Sequence, residues 1–151
     1  MARERTRSLR SRALSLLARR EHSRAELARK LAAHAEEGED VDAVLDELAA
    51  KGWLSDARFA EQVARAKSRR FGPLKLAHYL RTRGVGEECV AAGLRAAGDD
   101  GCASLEAVWR SRFRALPADD RERARHVRFL QGRGFPVEEI LRFLKARSPH
   151  P

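Results

Sequence analysis

Apolar residues recur at intervals of three and four positions along most of this chain, and charged or polar residues occupy the positions between them. This spacing is typical of an α-helix that buries one face. Ala, Leu, Arg and Glu dominate the sequence and are strong helix formers, and we find no convincing run of alternating β-branched residues. The pattern therefore predicts an all-α protein in which nine segments form helices.

Helix caps and helix breakers separate the nine segments. Ser23, Asp40 and Ser55 each stand at a predicted N-cap. Ser23 and Glu26 also match a capping box, in which each side chain bonds the backbone N–H of the other residue. Glycines suited to a C-cap and prolines suited to a first helical turn mark the other boundaries, at Lys51-Gly52, Gly72-Pro73, Arg83-Gly84, Gly98–Gly101, Arg133-Gly134 and Pro136.

One phrase occurs twice in the sequence. Residues 80–94 read LRTRGVGEECVAAGL and residues 130–144 read LQGRGFPVEEILRFL, so leucine, Arg-Gly, an apolar residue, glutamate and a closing leucine coincide 50 positions apart. A looser copy lies earlier in the chain. The apolar positions of the second predicted helix precede those of the fifth by 49 positions, and those of the third predicted helix precede those of the sixth by 46 positions. We attribute the difference to an insertion in the loop at 36–40.

A period near 50 residues indicates tandem helical repeats. We therefore predict three three-helix units in an elongated, modular array, in which each unit mainly contacts its neighbours. The predicted units are residues 1–54, which include a basic N-terminal segment, residues 55–100 and residues 101–151. The alternative is a chance similarity between two amphipathic helical hairpins.

The net charge of the chain is +9 and its pI is near 10.7. This balance favours a polyanionic partner such as nucleic acid, a nucleoprotein or an anionic membrane surface. The charge lies in blocks: residues 57–83 contain eight basic residues and one acidic residue, whereas residues 36–56 contain one basic residue and eight acidic ones. Stacked units would thus carry basic surface along one side. A charge that serves only solubility is the alternative.

Within the middle block, Arg58, Arg65 and Arg69 are spaced by seven and four positions and are predicted to share one helical face. This block and the basic residues of the first unit form the candidate surface for a polyanion. Its members are Arg19, Arg20, Arg24, Arg58, Arg65, Arg69, Arg70, Lys75, Arg81 and Arg83.

Aromatic residues are sparse in the sequence. Phe71 and Tyr79 flank basic residues, which makes them candidates to stack on a nucleic-acid base. Trp53, Trp109 and the other phenylalanines mostly occupy apolar-periodic positions, so we expect them in the packed core.

The sequence contains no recognisable catalytic or metal-binding motif. It has no phosphate-binding loop, no GxSxG and no HExxH, and none of its five histidines lies near a plausible nucleophile. Cys89 and Cys102 lack the spacing of a structural zinc site, which needs about four ligands. We therefore expect a protein that is not an enzyme and that uses neither a metal nor a cofactor.

Several features predict a cytoplasmic protein without a membrane partner. No apolar run approaches the roughly 20 residues needed to span a bilayer. The segment ALSLLA at 13–18 is too short for the apolar core of a signal peptide. The two cysteines, as free thiols, suit a reducing compartment.

Four stretches resemble, in the same order, signatures of the RecX family: ALSLLARREHSRAELARKL at 13–31, GWLSDARFAEQ at 52–62, RRFGPLKLAHYLRTRGV at 69–85 and RFLQGRGFPVEEI at 128–140. The resemblance covers nearly the whole chain. The chain departs from the family's pattern at Tyr79, where the family often has Glu, and at Gly132, where it often has a second basic residue.

The resemblance implies a nine-helix fold of three repeats. It also implies a partner, the RecA filament on single-stranded DNA. Family members are not enzymes; they lie in the groove of that filament, inhibit its ATPase and strand exchange, and cap or destabilise its growth. On this basis we expect a monomer that contacts the nucleoprotein through the basic face from Arg58 to Arg83. Direct contact with single- or double-stranded DNA stays open.

Three other functions are alternatives on the sequence alone. A stand-alone DNA-binding protein would use the basic blocks for phosphate contacts, so its binding would weaken steeply with salt and would not need RecA. An enzyme acting on nucleic acid would need a carboxylate or histidine cluster, which we cannot assemble. A scaffold whose charge serves only solubility predicts neither activity.

Overall fold

The structure is a computed structural model that describes residues 8–98 and 101–149, except for the side chains of residues 101–103. Over these residues the chain forms nine α-helices and no β-strand, which confirms the predicted all-α class. Residues 1–7, which belong to the predicted basic N-terminal segment, lie outside the described residues, as do the Asp99-Asp100 pair and the Cys102 side chain. The helices are α1 (Leu9–Arg19), α2 (Arg24–Ala32), α3 (Val41–Ala50), α4 (Asp56–Lys67), α5 (Pro73–Thr82), α6 (Glu87–Ala97), α7 (Gly101–Arg112), α8 (Asp120–Gly132) and α9 (Val137–Arg147).

Each successive group of three helices has a hydrophobic core of its own. We call these groups unit 1 (α1–α3), unit 2 (α4–α6) and unit 3 (α7–α9). Leucines dominate the core of unit 1, and aromatic and branched residues that of unit 3. The three cores are, in order, Leu9, Ala13, Leu27, Leu31, Leu45, Leu48 and Leu54; Phe59, Ala60, Ala77, Leu80, Val85 and Val90; and Leu105, Val108, Trp109, Phe113, Leu130, Phe135, Ile140, Phe143 and Leu144.

These cores confirm the prediction of three three-helix units in tandem. The exact unit boundaries, at 54/55 and at 100/101, stay predictions. The boundary at 100/101 adjoins residues 99–100, which the structure does not describe.

The predicted helix caps form, with one exception. The side chains of Ser23, Asp40 and Ser55 each accept a hydrogen bond from the backbone N–H three residues later. The Glu26 carboxylate, however, bonds Arg20 instead of the Ser23 backbone. The capping box is therefore correct for Ser23 and wrong in its reciprocal half, because a charged partner offers the carboxylate a stronger bond.

The repeated Arg-Gly phrase forms the turn between the second and third helices of units 2 and 3. Gly84 and Gly134 have φ angles of +77° and +98°, in the left-handed region that glycine adopts without strain. The apolar residues that follow them, Val85 and Phe135, are buried in the cores of their units. In unit 1 the corresponding loop at 33–40 is longer and does not contain the phrase.

The same turn is where a unit contacts the unit before it. The Arg83 carbonyl accepts a 2.6 Å hydrogen bond from the hydroxyl of Ser23, the N-cap of α2. The Arg133 carbonyl accepts a 2.7 Å hydrogen bond from the backbone N–H of Gly72, the N-cap of α5. In both cases the turn of the later unit docks on the N-terminus of the second helix of the earlier unit.

The docking contacts leave no space for a side chain at either glycine. A Cβ atom on Gly84 would lie 2.4 Å from Cβ of Ala25, and one on Gly134 would lie 2.4 Å from Cβ of Lys75 and 2.7 Å from its backbone nitrogen. The Leu74 N–H adds a 2.9 Å hydrogen bond to the Gly134 carbonyl. The phrase therefore occurs twice because the two junctions between units need the same close turn.

Candidate nucleic-acid interface

The ten predicted basic residues all lie in units 1 and 2. Three of them surround the turn between α1 and α2, two lie on α4, and five lie on α5 or in the turns at its two ends. In that order they are Arg19, Arg20 and Arg24; Arg58 and Arg65; and Arg69, Arg70, Lys75, Arg81 and Arg83.

The expected shared face of Arg58, Arg65 and Arg69 is present only in part. Helix α4 ends at Lys67, and Ser68 is its C-cap. Arg69 therefore lies beyond the helix, in the turn that leads to α5. The helical spacing was correct for Arg58 and Arg65, but the sequence pattern did not reveal that the helix stops before Arg69.

Five of the ten side chains are paired with carboxylates of this chain. Such pairs reduce the charge that each arginine offers to a partner, although an exposed pair is weak and can exchange for another anion. The shortest nitrogen–oxygen distances are 2.5 Å for Arg20–Glu26, 2.7 Å for Arg24–Asp46, 2.8 Å for Arg58–Glu21, 2.9 Å for Arg65–Glu61 and 2.6 Å for Arg81–Glu87.

The Arg20–Glu26 pair belongs to a polar cluster in unit 1, next to its junction with unit 2. Burial raises the pKa of Glu26, but the hydrogen bond and charge of Arg20 outweigh this effect and hold that pKa below its usual range. The buried His22 ring lies 3.0 Å from the Arg20 carbonyl through Nδ1 and 3.0 Å from the Lys30 ammonium through Nε2. In the neutral ring these partners assign the proton to Nδ1. Burial lowers the pKa of His22 and so favours this neutral form. The polar groups of Arg20, His22, Glu26 and Lys30 therefore bind one another within the cluster.

The other five predicted residues are not neutralised in this way. Arg19, Arg69, Arg70, Lys75 and Arg83 have no carboxylate oxygen within 4.0 Å among residues 8–98 and 101–149. Arg69 and Arg70 are exposed in the turn before α5. Lys75 and Arg83 lie over aromatic rings, which attract a cation without cancelling its charge.

Tyr79 carries two cations on its half-buried ring. The Lys67 ammonium lies 4.9 Å from the ring centroid and the Arg83 guanidinium lies 4.8 Å from it. Lys67 closes α4 and Arg83 follows α5, so the ring of Tyr79 joins the ends of these two helices.

Phe71 and Phe129 continue this arrangement into unit 3. The Lys75 ammonium lies 4.8 Å from the Phe71 centroid, and the Arg133 guanidinium lies 5.8 Å from Phe71 and 5.3 Å from Phe129. Arg112 adds a second cation to Phe129, at 5.8 Å. Arg133 therefore connects an aromatic ring of unit 2 with one of unit 3.

We call this surface the basic–aromatic strip. It contains three half-buried rings and seven cations, none of which has a carboxylate oxygen within 4.0 Å in the described part of the chain. The rings are Phe71, Tyr79 and Phe129, and the cations over them are Lys67, Lys75, Arg83, Arg112 and Arg133. We include Arg69 and Arg70, which are exposed and directly precede Phe71.

Sequence reasoning missed three cations of the strip: Lys67, Arg112 and Arg133. A signal for Arg133 was available, because it occupies the same position in the repeated phrase as Arg83, which was predicted. Lys67 and Arg112 gave no comparable signal, since their roles depend on which rings the fold brings beside them.

Trp53 does not lie in the core, contrary to the prediction. Its side chain is 45% exposed. The Lys51 ammonium lies 5.0 Å from its ring centroid and the Arg10 guanidinium 5.9 Å from it. The periodic pattern placed Trp53 in the core, but it follows the left-handed turn at Gly52, where the helical period no longer applies. Unlike the cations of the strip, Lys51 and Arg10 are both paired with Glu47.

The described residues contain no group of three or more His, Cys, Asp or Glu side chains that is able to hold a metal ion. Cys89 is a free, partly buried thiol. Within the same residues, no helix is both long enough and apolar enough to cross a membrane.

Comparison with known proteins gives the same three-part division. Three family models match the chain in order: "RecX, first three-helix domain" over residues 10–48, "RecX, second three-helix domain" over residues 55–94 and "RecX, third three-helix domain" over residues 99–144. Each matched segment overlaps all three helices of one unit, although it does not always include the full length of each helix.

Relatives and solved structures agree with these matches. The chain is 47% identical over 137 residues to the regulatory protein RecX of Chromobacterium violaceum, covering 91% of this chain and 89% of that protein. It is 45% identical over 141 residues to the regulatory protein RecX of Ralstonia nicotianae, covering 91% and 87%.

Two crystal structures share the fold at low identity. One is described as regulatory protein RecX (TM-score 0.76, 19% identity, 92% of this chain and 72% of that one), and the other is RecX from Lactobacillus salivarius (TM-score 0.69, 17% identity, 91% and 95%). Because three domain models match in order and relatives share almost half of their residues with it over nine-tenths of its length, this chain belongs to the RecX family.

Proposed function

We propose that this protein is a non-catalytic cytoplasmic regulator that binds the RecA filament on single-stranded DNA. In this proposal it inhibits the RecA ATPase, strand exchange and filament growth. Its relatives bear the name regulatory protein RecX, and the resemblance that led us to the family implies this partner.

The basic–aromatic strip is the observation that carries the proposal. Within residues 8–98 and 101–149, its cations form no ion pair with a carboxylate, so they are available to an anion of a binding partner. The strip also crosses from unit 2 to unit 3 through Arg133, which contacts rings in both. A basic surface that extends over two successive units suits a long, repetitive nucleoprotein better than it suits a compact ligand.

The junctions between units support the same proposal. The turns at Arg83 and Arg133 hold each later unit on the helix N-terminus of the unit before it. A surface that is fixed across a junction loses less conformational freedom when it binds than one carried by independent units. The arrangement therefore favours binding by several units at once to neighbouring RecA protomers.

Co-sedimentation with RecA filaments tests the proposal. The filaments are assembled on single-stranded DNA with a non-hydrolysable ATP analogue, so that they do not disassemble during the assay. We expect the wild-type protein to sediment with them, and the double variant Arg69→Glu/Arg70→Glu to bind about tenfold more weakly or worse, because two attractive charges become repulsive.

The matched control is Arg29→Glu/Arg142→Glu. It changes the net charge by the same amount at two exposed residues outside the strip, so we expect near wild-type binding. Equal loss in both double variants would contradict a role for the strip and would point to net charge alone. Equal binding to filaments and to the bare DNA would instead favour a stand-alone DNA-binding protein.

A further inference from the structure

The basic–aromatic strip contains more than phosphate binding requires. Phosphate contacts require only cations, whereas here five of the seven uncompensated cations lie over three partly exposed rings. Each ring holds two cations, so none of the three is an isolated surface aromatic residue. The grouping points to a ligand that offers both negative charge and flat apolar faces.

The contacts with arginine are the informative ones. The guanidinium of Arg83 lies 4.8 Å from the centroid of Tyr79, and that of Arg133 lies within 5.8 Å of two rings. Aromatic rings and guanidinium planes are the groups on which proteins stack unpaired bases. The strip therefore offers stacking surfaces next to cations that are available for phosphate.

Among polyanions, a single strand matches this chemistry best. In a duplex the bases are stacked on one another inside the helix, so side-chain rings have no access to their faces without unstacking them. An acidic protein surface would use the cations but would leave the three rings without a role. A single strand uses both, because its phosphates and its base faces are exposed together.

From this arrangement we infer that the basic–aromatic strip is a binding site for single-stranded nucleic acid. The ring–guanidinium pairs Tyr79–Arg83 and Phe71–Arg133 stack on bases, while Arg69, Arg70 and Lys75 contact phosphates. Phe129, with Arg112 and Arg133, extends the site into unit 3. This inference goes beyond the proposed function, since it requires no RecA.

Fluorescence anisotropy with the purified full-length chain tests the inference in the absence of RecA. The probes are a labelled 20-nucleotide oligo(dT) and a labelled hairpin duplex of the same charge. We expect the single strand to bind several-fold more tightly than the duplex. We expect Tyr79→Leu to weaken binding to oligo(dT) about tenfold and Tyr79→Phe, which keeps the ring, to leave it unchanged.

Salt dependence separates stacking from charge. Arg69→Gln/Arg70→Gln is expected to reduce the slope of log K against log[salt] by about 1.4, since each lost phosphate contact to a single strand contributes about 0.7. Tyr79→Leu is expected to leave that slope unchanged while lowering the affinity. Trp53→Leu is the matched aromatic control, because the cations beside that exposed ring are paired with Glu47, and we expect it to bind like the wild type.

Results of two kinds would overturn the inference. One is a Tyr79→Leu protein that remains folded by circular dichroism and binds oligo(dT) like the wild type. The other is equal affinity for oligo(dT) and the duplex, or no binding to either, which would assign the strip to phosphates in general or to a protein surface. Neither result would decide whether the chain binds RecA filaments, which co-sedimentation measures separately.

Discussion

The Ser23 hydroxyl donates a 2.6 Å hydrogen bond to the Arg83 carbonyl, 60 residues further along the chain. The same hydroxyl oxygen accepts the Glu26 N–H at 3.1 Å, so one buried group both caps α2 and holds unit 2 against unit 1. At the second junction a backbone N–H, that of Gly72, takes the place of the hydroxyl as the donor. Sequence repetition in this protein thus reflects repeated contacts between units as well as a repeated fold.

Ser23→Ala is expected to destabilise the protein more than the loss of an ordinary helix cap. The substitution removes the cap and leaves the Arg83 carbonyl without its donor, which together cost about 2–3 kcal/mol. Ser55→Ala is the control, because Ser55 caps α4 only through the exposed Arg58 N–H and its loss costs about 1 kcal/mol. Urea denaturation of both variants measures the difference, and equal values would mean that the bond between units contributes nothing.

Gly134→Ala is expected to cost about 3 kcal/mol or more. The new Cβ would require a left-handed backbone in alanine and would collide with the backbone nitrogen of Lys75, which cannot move without moving α5. Gly52→Ala is the matched control, since Gly52 has a φ of +76° but no atom within 4 Å of the added Cβ, and about 1 kcal/mol is expected there. Thermal or chemical denaturation gives the comparison. Similar losses in the two variants would show that the close approach between units 2 and 3 is not needed.

Stability is expected to decrease as the pH falls from about 7 to about 5. Burial lowers the pKa of His22 and of His126 below the ordinary value of about 6.5. The unfolded chain therefore takes up protons at these residues at a higher pH than the folded one, and protons favour unfolding. The stabilisation is complete above about pH 6.5 and is lost as the pH falls through the lowered pKa values.

Urea denaturation at a series of pH values checks this prediction. The variant His22→Asn/His126→Asn keeps polar groups at both sites but cannot titrate, so its stability is expected to change much less between pH 7 and pH 5. Asparagine also preserves an acceptor for the Trp109 indole N–H, which lies 3.0 Å from Nδ1 of His126. A double variant with the full pH dependence of the wild type would assign that dependence to other groups.

Arg133→Gln is expected to separate binding from stability. The side chain contacts Phe71 and Phe129 in the strip, whereas the docking contact with Gly72 uses only the backbone carbonyl. The free energy of unfolding is therefore expected to change by less than about 1 kcal/mol, and the affinity for filaments to fall about fivefold through the loss of one cation at the centre of the surface. A large loss of stability with unchanged binding would mean that Arg133 is structural.

Much of the fold was predictable from local pattern. The caps at Ser23, Asp40 and Ser55 and the left-handed glycine at position 52 depend only on neighbouring residues, and they form as predicted. The helical period also gave most of the buried residues. It failed at Trp53, which lies just beyond the end of α3, where spacing along the sequence no longer determines which side of the chain is buried.

The candidate surface was less predictable, because charge in the sequence does not reveal the neighbours of a side chain. Arg58 and Arg65 fitted the helical face, but in the fold both are paired with glutamates, one of them from another unit. Arg133 joined the surface only through rings from two units. Neutralised cations can be distinguished from available ones only through tertiary contacts. The sequence therefore predicted a set of basic residues, whereas the structure identified which of them lie together without a carboxylate partner.

The most direct test of the regulatory account is the RecA ATPase rate on single-stranded DNA, titrated with this protein from far below stoichiometric amounts. The account predicts inhibition at ratios too low to coat the DNA, with Arg69→Glu/Arg70→Glu requiring much more protein for the same effect. Inhibition that begins only when the protein is abundant enough to cover the DNA would contradict it, because simple competition for DNA would then explain the result.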